Sequence, residues 1–154
     1  MRLFKIAAFI LGLFVLQTVI LARLNLFGLM PDLVLVAVVI FAVFEERAPA
    51  TVFAATLSLL QDLMSAGILL NTIIKVVISN IISGTRAGLS GDEFSFSLSM
   101  TALFSPVFII ARLIILNNAI SPVYFIVQLV GGTLLNMAFV FLLFPLVKEL
   151  TNAK

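Results

Sequence analysis

The chain has 154 residues, 63% of them hydrophobic and only 10% charged, with a formal net charge of +2 and a mean hydropathy of +1.31. A soluble domain carries roughly 25% charged residues, so lipid is the expected solvent for most of this chain, which is long enough for one domain (1–154) and no separate soluble module. Cys and His are both absent, which excludes thiol and imidazole catalysis, disulfides and the common zinc, haem and iron–sulfur ligand sets, and the singly scattered basic residues exclude a nucleic-acid surface.

In chain order the pattern predicts six transmembrane helices, several of them short, at 4–23, 31–44, 49–63, 70–84, 95–116 and 122–147. The first contains Ile6–Ala22, 17 residues without a charge and about 26 Å of helix, just sufficient to cross a hydrocarbon core. That run is too long for a signal peptide and lacks a small-x-small cleavage site before Arg23, so it is expected to stay as a first span. Arg23–Gly28 closes it, and Pro31 opens the second helix at a tolerated position. Glu45-Glu46-Arg47 is the densest charge cluster; placing it inside a span would be costly, which rules out a four-helix reading. Pro49 opens the third helix, whose Ala50, Ala54, Ala55 and Ser58 allow close packing. Met64–Gly67 reads as a turn, Gly84–Glu93 as a polar loop, and Asn117–Ser121 as a turn before Pro122. The last helix contains Gly131-Gly132, a packing or kink site, and Gln128 and Asn136, which are expected to bond to neighbouring helices.

Orientation follows from the basic residues. With six spans, Arg2, Lys5, Arg47, Arg86, Lys148 and Lys154 fall on one side and only Arg23 on the other, which places both termini in the cytoplasm. Trp is absent and Tyr occurs once against 15 Phe, so Lys and Arg replace the usual interfacial aromatic belt.

Five polar residues from five helices, Gln17, Asp32, Asp62, Lys75 and Arg112, converge at the outer level. Each has a plain structural reading. Asp32, after Pro31, suits a helix N-terminus; Asp62 suits interfacial water; Lys75 and Arg112 can extend outward along their aliphatic stems. Lys75 stands in the first turns of its helix, where the dipole disfavours a cation, and Asp62 is the expected carboxylate beside it. Arg112, furthest from a helix end, is expected to pair internally with Asp32 or Asp62. No nucleophile accompanies these carboxylates, so neither catalysis nor a cofactor or metal site is expected. The glycines of 84–91 lack the strand and lysine of a phosphate-binding loop.

Two stretches carry a resemblance. Leu26-Phe27-Gly28-Leu29-Met30-Pro31-Asp32-Leu33 leads into the second helix, and Leu60-Gln61-Asp62-Leu63-Met64-Ser65-Ala66-Gly67 closes the third. Together they resemble the rod shape-determining protein MreD family of bacteria, with its Gly-x-x-Pro-Asp-Leu and Leu-x-Asp-Leu-x-x-Gly motifs. The resemblance implies a non-enzymatic scaffold of the cell-elongation machinery in the inner membrane. It would bind MreC and, through it, connect MreB filaments with the peptidoglycan polymerase RodA and a class B penicillin-binding protein. Ala54, Ala55 and Ser58 stand where relatives often have glycine. The six-helix arrangement also resembles the substrate-binding subunit of energy-coupling-factor vitamin transporters, which is the alternative reading of function, although fold alone does not carry function. On either reading the outer polar set, with Pro31, is the candidate site.

Overall fold

A computed structural model describes residues 2–21, 28–29, 31–64, 69–86, 88, 91–115 and 121–152. The turns expected around 23–27, 65–67 and 117–120, parts of the 84–93 loop, and Arg23 and Lys154 lie outside the described residues. Every regular element among the described residues is a helix. They are α1 (Arg2–Val15, continued by a π-helical stretch Leu16–Leu21), α2 (Leu33–Phe44), α3 (Arg47–Met64), α4 (Leu70–Arg86), α5 (Glu93–Ile115) and α6 (Pro122–Asn152).

The second helix organises the others. Its sequence, LVLVAVVIFAVF, has no polar face, and a helix that is apolar all round belongs inside a bundle. From Leu33 to Val43 no residue is more than 4% exposed. Helices α3, α4, α5 and α6 wrap it, α3 with α4 and α5 with α6 forming the most extensive pairings, and α1 lies more lightly against the bundle. Near the C-terminal end of α2, aromatic rings fill the gaps. Phe41 stacks on Phe53 at 4.0 Å, Phe44 meets Phe144 at 5.4 Å, and Phe94 sets its edge against Phe141 and Phe144.

Outward, the bundle is apolar as well. Val52, Ile73, Leu103, Val123 and Leu142 are all more than half exposed. Helices α5 and α6, 23 and 31 residues long, are long and apolar enough to cross a membrane, and little of either is fully buried; α2 is a shorter apolar helix.

Some helix ends differ from the expected ones for local reasons. The first helix is interrupted. Its last six described residues widen to π geometry, a change common where a side chain must be re-aimed, and Gln17 in that stretch reaches the start of α2. Helix α5 begins at Glu93 rather than Ser95 because Asp92 caps it, accepting hydrogen bonds from the Ser95 N–H at 2.9 Å and the Ser95 hydroxyl at 2.8 Å. Helix α6 continues past Val147 to Asn152, with Lys148 and Glu149 exposed on this last stretch. There Lys148 lies 3.7 Å and Arg86 3.8 Å from opposite oxygens of Glu93.

The backbone N–H and then the hydroxyl of Ser95 hold the Asp92 carboxyl below the ordinary carboxylate range. The bonds to the ionised form are intact above the unfolded pKa and are lost as pH falls through the lowered folded pKa. Asp92→Ala is therefore expected to lower the thermal midpoint at neutral pH and to leave it unchanged in strong acid, where the wild-type cap is protonated; an equal difference at both pH values would contradict the cap.

Candidate functional site

The N-terminal donors of a helix have no intrahelical acceptors, and at the start of α2 they are enclosed. An unpaired backbone N–H buried away from water costs about as much as a lost hydrogen bond. The bundle supplies side-chain acceptors from three directions. The N–H of Leu35 donates to Asp32 Oδ1 at 2.9 Å, that of Leu33 to Gln17 Oε1 of the π stretch at 2.8 Å, and that of Asp32 to Asn136 Oδ1 of α6 at 2.8 Å. Gln17 also donates from Nε2 to the Pro31 carbonyl at 3.0 Å, and Asn136 donates from Nδ2 to Ser105 Oγ of α5 at 3.0 Å.

Asp32 is 6% exposed, so its charge needs a partner inside the protein. The second carboxylate oxygen lies 2.7 Å from Lys75 Nζ of α4, and Lys75 is fully buried. An ammonium has three donors. Lys75 directs one to Asp32 and one to Gln61 Oε1 at the end of α3, and its charge stands 4.8 Å over the centre of the Phe108 ring of α5. Such a ring face attracts a cation.

Asp62, next to Gln61, serves another helix end. It accepts from the N–H and side-chain amide of Asn71 at 3.2 and 2.7 Å, and from the N–H and hydroxyl of Thr72 at 2.8 and 2.7 Å. It thus caps α4 from a different helix, where the dipole also favours an anion.

Position 28 completes the lead-in to α2. Gly28 has φ +80°, a left-handed conformation that penalises any Cβ. Its carbonyl accepts from Gln128 Nε2 of α6 at 2.6 Å. The next residue, Leu29, packs where a Cβ on Gly131 would lie, 2.6 Å from its Cδ1, so the absence of a side chain in α6 makes its seat.

The chain matches no family model, no curated protein and no solved structure.

Of the expected residues, the structure brings Gln17, Pro31, Asp32 and Lys75 into one hydrogen-bonded group. Asp62 adjoins it through Gln61. Two expected pairings are corrected. Lys75 pairs with Asp32, not Asp62, because Asp62 is taken up by four donors at the start of α4 and Asp32 presents its free oxygen inward. Arg112 is exposed and, among the described residues, makes no ion pair. Its distance from the helix end in sequence does not translate into burial, because that face of α5 points outward. The plain alternative for Asp62, a place in interfacial water, does not hold either, since Asp62 is 1% exposed. The added members are Gln61, Asn71, Thr72, Ser105 and Phe108. Gln61 stands next to Asp62 at the variable position of the second motif and Asn71 at a helix start, which are the signals that could have found them; Ser105 and Phe108 lie in a helix whose residues give no such signal. Gln128 and Asn136 bond to neighbouring segments, as their polarity within an apolar run indicates.

Removing one partner of a buried pair leaves an uncompensated charge, which costs about 3–5 kcal/mol. Lys75→Met is expected to destabilise by about that much, and combining it with Asp32→Asn to cost clearly less than the two single changes added together. Arg112→Ala should stay within about 0.5 kcal/mol of wild type. Thermal unfolding of the four variants checks this; an Arg112→Ala loss as large as that of Lys75→Met would refute the assigned pairing.

Proposed function

We propose that this chain is a six-span protein of the bacterial inner membrane, with both termini in the cytoplasm, that acts as a non-enzymatic scaffold of the cell-elongation machinery by binding MreC. The membrane part rests on physical grounds. Large apolar side chains stand exposed on every long helix of the bundle, whereas a soluble monomer keeps large contiguous apolar patches rare. Charged groups gather at helix ends or pair inside, as they must where lipid is the solvent.

The scaffold part is carried by one observation. The two stretches of the resemblance, about thirty residues apart, meet on a single ammonium: Asp32, a fixed position of the first motif, and Gln61, the variable position beside Asp62 in the second, both accept from Lys75. Gly28, Pro31 and Asp32 of the first motif each have a physical duty in the lead-in to α2. Gly28 takes the left-handed turn, Pro31 lends its carbonyl to Gln17, and Asp32 caps α2 and pairs with Lys75. A network of this kind holds the helices in register and leaves the outer helix faces as working surface. RodA, the class B penicillin-binding protein and MreB are reached through MreC on this reading.

Because the chain has no native cysteine, single-cysteine variants report topology without background. Gly88→Cys is expected to react with an impermeant maleimide only after the cells are opened, and Ser121→Cys in intact cells; the reverse pattern would invert the orientation. Pull-down from native membranes in mild detergent, read by mass spectrometry, is expected to recover MreC. Recovery of an ATPase module in its place would overturn the scaffold in favour of a transporter subunit.

A further inference from the structure

We propose that Arg47 and the groove beside Gly84 bind the headgroup of an anionic phospholipid at the cytoplasmic face; this rests on the membrane part of the reading above, and not on the scaffold part. The groove holds about 600 Å3 between the first turn of α3 and the C-terminal half of α4. Arg47, the first residue of α3, is exposed. Arg86 and Lys148 share Glu93, whereas Arg47 makes no ion pair among the described residues. Its guanidinium lies directly on α4: Nη2 is 2.6 Å from the position a Cβ on residue 84 would occupy. Gly84 thus lets a cation rest against the helix at the head of the groove.

Three features fit a lipid better than a soluble anion. The guanidinium presents a planar fork of donors that matches phosphate oxygens, and the dipole at the start of α3 favours an anion there. Below it, Ile81, Val77 and Ile73 succeed one another at four-residue spacing on α4, all 48–63% exposed. They form one apolar stripe about 12 Å long, a track for an acyl chain leading away from the phosphate. Between the two, Asn80 donates from Nδ2 to the Val76 carbonyl at 2.9 Å, leaving its Oδ1 to accept from a hydroxyl of a glycerol headgroup. Glu46, exposed just before Arg47, opposes more highly charged anions and restricts the site to a head of single net charge. Phosphatidylglycerol has that chemistry.

The test uses the full chain reconstituted in nanodiscs of phosphatidylcholine mixed with phosphatidylglycerol, with tightly held lipid identified by native mass spectrometry. Phosphatidylglycerol is expected to be enriched about fivefold on the wild type relative to Arg47→Gln. Gly84→Ala, which keeps the charge but displaces the guanidinium, should lose most of that enrichment; its clash is with the far end of a flexible side chain, so the fold has room to adjust. Inorganic phosphate should not displace the lipid. Unchanged enrichment in Arg47→Gln, with or without a loss of thermal stability, would mean that Arg47 only serves the C-terminus of α4. Displacement by inorganic phosphate would make the site a soluble-anion site. If Arg47→Gln does not fold, full enrichment in Gly84→Ala overturns the proposal. A chain that fails to enter nanodiscs overturns both this site and the membrane reading; one that enters without enrichment overturns the site alone.

Discussion

The N-terminus of α2 is a helix end with no water to receive it, and the polar chemistry of the molecule is arranged around that fact. Four other helices surround α2 and bury it from Leu33 to Val43. Its first donors therefore require protein acceptors. Asp32 supplies one and so introduces a buried charge; Lys75 neutralises that charge and is itself buried; Gln61 and Phe108 complete the surroundings of Lys75. Each step follows from the cost of leaving the previous group unsatisfied. The result joins side chains from α1, α3, α4, α5 and α6 to the start of α2.

That arrangement separates the interior from the surface in an unusual way. Three charged side chains, Asp32, Asp62 and Lys75, are enclosed with their hydrogen-bond partners, and apolar groups fill the core and much of the outer faces. Where lipid surrounds a bundle, burying apolar surface gives little drive for helix association, so close packing and polar links matter more. The Gly131–Leu29 seat and the Phe41–Phe53 stack are packing links of this kind. A frame held in this way can offer its helix faces to partner helices or lipids without its own packing depending on them.

The two charged ends behave differently. At the Glu93 end, Arg86, Lys148 and the Asp92 cap are near the surface and only loosely paired, so salt and solvent weaken them. At the Asp32 end the pair is enclosed, and loss of one member leaves the other charge without solvent. Mutations of similar appearance are thus expected to have unequal consequences at the two ends.

Periodicity, prolines and composition were enough to find the helices, because an apolar run bounded by Pro31 or Pro122 leaves few alternatives. They also identified Gln17, Asp32, Asp62 and Lys75, since a polar residue in such a run needs a reason to be there. They did not give the right match of carboxylate to cation. Asp62 is closer to Lys75 in sequence than Asp32 is, yet Asp32 makes the pair, because rotation about the helix axes and the competing donors of Asn71 and Thr72 decide which oxygen is free. Arg112 likewise sits in an apolar run, but only packing determines whether a given face of α5 turns inward. Residue type and spacing set the helices and the polar inventory, which are local properties; partner choice depends on helix rotation and contact, which exist only once the bundle has formed.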